Sequence, residues 1–193
     1  QIPTAGGRAF LCDCGANAEC TPEYLLQFAY LGSYYAQRVM GIEKPRVGLL
    51  NIGAEEEKGD TLRHETYALL KEAGEAGRIH FIGNVEANTA LLGGADVIVA
   101  DGYSGNILLK GVEGCAKLMM GELKKALRSS TKSKLGALLV KDSLRDMKKL
   151  LDPSEIGGTP FLGISKPVLK AHGSSDAHAI CNAVQRAIEY AQS

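Results

Sequence analysis

The chain lacks any run approaching the ~20 consecutive apolar residues of a membrane-spanning helix. Its first residues also lack the charged-then-apolar build of a secretory signal, so a cytosolic protein is expected. It has no net charge: 22 basic residues balance 22 acidic ones, which excludes a chain-wide attraction for nucleic acid and leaves any basic patch local. There is no even set of cysteines, and the five present in a glycine-rich chain do not read as a disulfide framework. A zinc set is missing as well, because Cys12, Cys14 and Cys20 have neither a second C-x-x-C nor a nearby His to complete four ligands. Cys12 and Cys14 read instead as small buried hydrophobes in or just after an apolar strand. No G-x-G-x-x-G follows a strand and no G-x-x-x-x-G-K-[ST] occurs, so neither dinucleotide nor P-loop binding is supported.

What is present is a soluble, globular composition, 45% hydrophobic and 23% charged, in 193 residues that can bury a sizeable core. Length alone admits one large domain or two small ones; the alternation of elements favours a single α/β domain over 1–193. The chain opens at Gln1 without a methionine and is expected to be a piece of something longer. Four apolar, β-prone runs empty into short loops of Gly, Asn and acidic residues. They are Val47–Leu50 into Asn51–Asp60, Ile79–Ile82 into Gly83–Glu86, Asp96–Ala100 into Asp101–Asn106, and Val168–Lys170 into Ala171–Asp176. In an open α/β sheet such loops gather at the carboxyl ends of parallel strands, where distant residues face one crevice.

Between the strands the pattern predicts helices. Thr21-Pro22-Glu23 is a helix start, with a hydroxyl cap, Pro at the first position and a carboxylate at the positive dipole end. Tyr24, Phe28, Leu31 and Tyr35 then form the expected buried stripe. Asp60 caps the next helix, with Leu62, Leu69, Leu70 and Ala73 inward and Gly77 at its end. A long helix is expected from about Gly105, carrying Leu108, Val112, Cys115, Met119 and Leu123 on one side. Phe161–Ile164 and Val168–Lys170 read as a late hairpin. The last helix is capped by Ser174 or Ser175, with Ala177, Ile180, Val184 and Ile188 as its inner face. Residues 129–151 differ: six basic residues stand against two acidic ones, with helical leucine stripes. That segment is either an ordinary amphipathic helix pair or a basic surface for lipid or an acidic partner.

A Gly-rich loop leaves backbone N–H groups open, and a helix start adds its dipole to the attraction for an anion. Gly102, Gly105 and Asn106 sit at one such junction, and Lys58-Gly59 lies just before the Asp60 helix at another. Each residue also has a plainer reading. Lys58 is either an anion-binding cation or a solvated lysine beside Glu55, Glu56 and Glu57; Asn106 is either a donor to substrate or a helix cap; Asp101 is a turn-former; His172 reads as a structural hydrogen-bonding residue rather than a base. Gly102-Tyr103-Ser104-Gly105 lacks the residue that a nucleophile elbow places between Ser and the second Gly.

The runs Leu11–Asn17, Pro45–Gly53, Phe81–Glu86, Asp101–Asn106 and Lys170–Asp176 resemble, in order and through nearly the whole chain, the bacterial phosphate acyltransferases of phospholipid synthesis, the PlsX family. The resemblance covers only the later part of that family's protein. It implies a three-layer α/β/α fold with a mostly parallel sheet, related to isocitrate dehydrogenase and phosphotransacetylase, in a homodimer. It implies the reaction of acyl-acyl carrier protein with inorganic phosphate to give acyl phosphate and free carrier protein. No metal or organic cofactor is expected, because the acidic cluster Glu55-Glu56-Glu57 lies on one loop beside Lys58 and lacks a second carboxylate set. Lys58 and Asn106 fall where the family has its catalytic lysine and asparagine. The substrate- and phosphate-binding set it implies is Asn51, Gly53, Glu55, Gly59, Asn84, Asp101, Gly102, Ser104, Gly105, His172 and Gly173. The 129–151 segment matches the family's protruding helices, with Leu135, Leu138 and Leu139 as contacts to an anionic membrane and a cytoplasmic, peripherally attached protein as the consequence. The chain departs from the pattern at Ala54, where the family usually has a hydroxyl residue, at Ser104, which replaces a usual Thr, and at Cys12, Cys14 and Cys20. Two other readings compete: a phosphotransacetylase-type enzyme using acyl-coenzyme A, and a non-catalytic module that docks to membrane or carrier protein.

Overall fold

Four parallel strands, each leading into a loop at the same edge of the sheet, organise the computed structural model, which describes residues 1–151, 158–164, 166, 168–171 and 175–192. The strands and helices are β1 (Ile2–Thr4), β2 (Gly7–Cys12), α1 (Pro22–Arg38), β3 (Arg46–Leu50), α2 (Thr61–Glu75), β4 (His80–Val85), α3 (Ala87–Leu91), β5 (Val97–Val99) and α4 (Gly102–Arg128). After them come α5 (Thr131–Leu139), α6 (Lys141–Leu151), β6 (Thr159–Phe161), β7 (Val168–Lys170) and α7 (Ala177–Gln192). The main sheet runs β1-β2-β5-β3-β4, with β1 antiparallel on its edge and the other four parallel; β6 and β7 form a separate antiparallel pair. This is an α/β fold with a mostly parallel five-stranded sheet flanked by helices.

The period of two in each strand divides the core into two layers. Phe10, Val47, Leu49, Val97 and Val99 pack with Leu25, Ala29, Ala36, Leu70 and Ala73 of α1 and α2. Ala9, Leu11, Leu50, Val85 and Ile98 face the other way, with Ala90 and with Leu108 and Leu109 of α4. With helices on both faces, the central strands are apolar without alternation, as Val97-Ile98-Val99 shows, all three fully buried. At the amino edge the Arg46 guanidinium donates to Asp96 from Nη2 and Nε at 2.8 and 3.0 Å, fixing β3 beside β5.

Several expected boundaries hold: Thr21 caps α1 with Pro22 as its first residue, Asp60 accepts the Arg63 N–H at 3.0 Å to cap α2, and β3 spans Arg46–Leu50. Others shift for identifiable reasons. Strand β1 is too short to show a period, and its Pro3 sits on the sheet edge, where a missing N–H costs nothing in the ladder. β4 continues through Gly83 and Asn84, which are expected in a loop: one residue of β3, Gly48, opposes two of β4, Ile82 and Gly83, a bulge that Gly83 permits at φ +94°. The inward stripe of α1 is Leu25, Ala29, Gly32, Ser33 and Ala36 with Tyr35, not the aromatic row, and Tyr24 is 46% exposed. Small residues face the sheet because the helix lies close: a methyl on Gly32 would stand 2.7 Å from Val97 Cγ1.

α4 starts at Gly102, three residues before the expected point, with the Asp101 carboxylate accepting the Ser104 N–H at 2.9 Å. Along it Leu108 and Val112 are half-buried, whereas Cys115 and Met119 are exposed as the helix runs on beyond the sheet. The late hairpin begins two residues earlier than expected, at Thr159. Among the described side chains of α7, Ala179 and Ala183 are buried while Ile180, Val184 and Ile188 are exposed, the reverse of the expected face. Ser174 lies outside the described residues. Among the described residues no helix is long and apolar enough to cross a membrane.

Candidate functional site

The loop from Asn51 to Asp60 is held by side-chain amides. Asn51 donates from Nδ2 to the Lys58 carbonyl at 2.8 Å and accepts the Ile52 N–H at 2.8 Å, which closes the loop across seven residues. Asn84, at the end of β4, donates from Nδ2 to the Glu55 carbonyl at 2.7 Å, so the neighbouring strand clamps the middle of the same loop. The Lys58 side chain folds across Gly53: a methyl there would sit 2.8 Å from Lys58 Cγ and 2.8 Å from Glu55 Oε2. Lys58 itself is exposed, and among the described residues its ammonium makes no hydrogen bond or ion pair. Gly59 takes φ +102°, which turns the chain tightly into α2.

Facing this loop is the first turn of α4. Arg63, the third residue of α2, reaches across to it: its guanidinium donates from Nη1 to Asp60 at 3.1 Å and from Nη2 to Asp101 and to Ser104 Oγ, the latter at 2.9 Å. The Arg63 and Asp101 side chains are 12% and 7% exposed. Two helix amino ends, those of α2 and α4, are therefore tied together at the carboxyl edge of the sheet, each presenting its positive dipole end there.

The third component is the turn after β2. The Asp13 carboxylate curls back to accept from the N–H groups of Cys14, Gly15 and Ala16, the last two at 3.1 Å, and from Asn17 at its backbone (2.6 Å) and side-chain amide (3.1 Å). The turn then lies on α4. Gly102 donates its N–H to the Asn17 carbonyl at 2.9 Å, and Gly105 packs so closely that a methyl on it would stand far inside contact distance of the Asp13 carbonyl oxygen. Gly102 and Gly105 are thus demanded by this approach and not by loop freedom; neither has positive φ. Asn106 lies over Gly15, where an added methyl would be 3.6 Å from its Cγ and Oδ1. With Asp101 as the cap, Asn106 is inside the helix and exposed, which overturns its reading as a helix cap.

The electrostatics follow from these contacts. Burial works against the Asp101 charge, but the Ser104 N–H and hydroxyl, with the Arg63 guanidinium, more than offset it and hold the carboxyl below its usual value. Arg63 in turn is shared between two carboxylates, so its charge is spent within the protein. The nearby thiols are unsuited to nucleophilic work: burial above all pushes Cys12 up to about 12 and raises Cys14 and Cys20 as well. That accords with packing roles. All five cysteines are free, and among the described residues no cluster of three or more His, Cys, Asp or Glu is arranged to hold a metal ion.

Of the expected site residues, Asn51, Gly53, Glu55, Lys58 and Gly59 share one loop, Asn84 clamps it, and Asp101, Gly102, Ser104, Gly105 and Asn106 form the adjoining helix start. His172 and Gly173 lie outside the described residues. Leu135, Leu138 and Leu139 stand apart on α5, 63%, 67% and 81% exposed. A cleft of about 310 Å³ lined by Pro45, Ile79, His80 and Phe81 opens at the opposite, amino edge and contains none of the candidates. Two residues of the carboxyl edge lie outside the expected set. Asp13 precedes a Gly-containing turn with the look of an Asx motif, a local signal that was available. Arg63 stands three residues after its cap Asp60, which suggests a surface pair, but nothing local reveals Asp101 as its second partner.

Loops converging at the carboxyl edge of a mostly parallel, five-stranded sheet flanked by helices define an α/β protein. The family described as "Fatty acid synthesis protein" matches residues 1–193, and the chain belongs to that family. It is similar to the phosphate acyltransferase of Lysinibacillus sphaericus (strain C3-41), 50% identical over 187 residues, which is 96% of this chain and 56% of that protein. It is also similar to the phosphate acyltransferase of Streptococcus uberis (strain ATCC BAA-854 / 0140J), 55% identical over 181 residues, 93% of this chain and 53% of that protein. The chain spans about half the length of the curated relatives it matches.

Proposed function

We propose that this chain carries the phosphate-handling part of an acyltransferase that converts long-chain acyl-acyl carrier protein and orthophosphate into acyl phosphate and free carrier protein. The observation that carries the reading is the junction made by Arg63, which brings the Lys58 loop and the Asn106 helix to one edge. The names of the relatives supply the reaction class. A phosphate oxygen attacks the thioester carbonyl, the new C–O bond forms as a tetrahedral oxyanion develops, and collapse expels the carrier-protein thiolate. Phosphate is already an anion, so the protein's task is to desolvate, hold and aim it. Lys58 neutralises phosphate and the developing charge. The Asn106 amide and neighbouring N–H groups stabilise the oxyanion. Asn51, Gly53, Glu55, Gly59 and Asn84 shape the loop, Asp101, Gly102, Ser104 and Gly105 set the helix start, and His172 with Gly173 completes the binding set. A thiolate leaves readily, so no strong general acid is required, and no metal or organic cofactor enters the scheme.

The test uses the full-length protein with long-chain acyl-acyl carrier protein and, separately, acetyl-coenzyme A. Orthophosphate-dependent acyl phosphate is expected from the first, in step with release of free carrier thiol. Preferential turnover of acetyl-coenzyme A would instead establish a phosphotransacetylase, and no product from either would leave a docking module.

The proposal extends to a homodimer of the fold shared with isocitrate dehydrogenase and phosphotransacetylase, working at the cytoplasmic surface of an anionic membrane. Leu135, Leu138 and Leu139 support that attachment by standing exposed among the lysines of α5 and α6. Burying such leucines is worth roughly 1.5–3 kcal/mol each, so the Leu138→Glu, Leu139→Glu double variant is expected to weaken co-sedimentation with anionic liposomes by about tenfold or more. Unchanged binding would remove α5 as the anchor.

A further inference from the structure

We propose that Arg63 is the positioning residue that sets Lys58 and Asn106 in register, an inference that rests on the function proposed above. One guanidinium spans two elements. It bonds the Asp60 carboxylate that caps α2, the Asp101 carboxylate that caps α4, and the Ser104 hydroxyl one turn into α4. Both ends of the proposed machinery are attached directly to these points. On one side Lys58 adjoins Gly59, which packs so tightly that a methyl on it would lie 2.7 Å from Arg63 Cβ and 2.7 Å from Asn51 Oδ1, the amide that holds the Lys58 carbonyl. On the other, Asn106 is two residues beyond Ser104 on the same helical turn. A shift of the guanidinium therefore moves the loop that carries Lys58 relative to the helical turn that carries Asn106.

Arg63 is not itself placed as a ligand for phosphate. It is nearly buried and its charge lies between two carboxylates, so an anion would have to displace one of them. Its value lies in shape: a planar fork reaches Asp60 and Asp101 from separate nitrogens, which the single ammonium of lysine cannot reproduce. A misplacement of about 1 Å in a reacting constellation costs on the order of 10² in rate, without any contact to substrate being lost.

The experiment measures kcat and KM for orthophosphate in the full-length protein carrying Arg63→Lys, Lys58→Ala, or both. Arg63→Lys is expected to lower kcat about 10²-fold with KM for phosphate within about threefold of the parent. In the Lys58→Ala background the same change is expected to cost less than about threefold more, because the group it positions is gone. A residue that only stabilised the fold would cost the same factor in both backgrounds, and one that touched phosphate would raise KM for phosphate well beyond threefold; either result overturns the proposal. So does Arg63→Lys at full rate while Lys58→Ala is impaired. Lys58→Ala at full rate overturns the function proposed above and the positioning role with it. If Arg63→Lys does not fold, Asp60→Asn decides: it keeps a helix cap while removing one anchor of the fork at the surface. A folded Asp60→Asn with kcat lowered about fivefold supports the role, and one at full rate overturns it.

Discussion

Lys58→Ala is expected to lower orthophosphate-dependent acyl phosphate formation about 10²- to 10³-fold, and Asn106→Ala by a similar factor. The loss should fall mainly on kcat. The proposal gives both groups to charge that is largest in the tetrahedral state, so their removal is felt there. Lys58 has no competing partner among the described residues, and Asn106 is exposed beside Gly15, so each deletion removes a group that is available rather than one already occupied. The double variant should lose far less than the product of the two factors, since groups acting on one oxyanion and its attacking phosphate work as a unit. Single-turnover product formation with folded variants checks this. Near-normal turnover in both would remove them from the chemistry.

Gly105→Ala is expected to destabilise the protein by about 3 kcal/mol or more, against a gain of up to about 1 kcal/mol from the better helix propensity of alanine. The two effects oppose each other, and the steric one is larger because the obstacle is backbone. A methyl at Gly105 would overlap the Asp13 carbonyl oxygen, with the Asp13 carbonyl carbon at 3.0 Å and Cys14 Cα at 3.4 Å. None of these can step aside without opening the turn closed by the Asp13 carboxylate. Gly121→Ala is the control: it lies on the same helix with nothing within 4 Å, and it should stabilise by up to about 1 kcal/mol. Urea unfolding midpoints distinguish the two. A Gly105 variant as stable as the parent would mean that the turn is not locked to α4.

The sequence was most legible where the cause is local. A hydroxyl before a proline at Thr21-Pro22, a carboxylate at Asp60 and an apolar run at Arg46–Leu50 act through their immediate neighbours, and each boundary fell as expected. Gly102 and Gly105 were harder, because glycine serves both a flexible loop and a crowded helix, and only the neighbour from β2 tells them apart. The α1 and α7 faces differ from the expected ones for a related reason. Large apolar side chains suggest the core, yet where a helix lies close to its neighbour the inward positions go to Ala29, Gly32 and Ala36, or to Ala179 and Ala183. For the site, the loop bearing Lys58 and the helix bearing Asn106 could be picked out from their glycines. The reach of Arg63 to Asp101 could not, since its partners are 38 and 41 residues away.

The turn at Asp13 bears on how an incoming oxyanion is sorted. Consecutive backbone amides curved around a point are a natural berth for such a guest, and here the chain has moored its own carboxylate in it. The berth is filled before any visitor arrives. In the proposed reaction the β2 side is thereby closed to an incoming anion, and the neighbouring loop that carries Lys58 is the one approach left for a dianion to take.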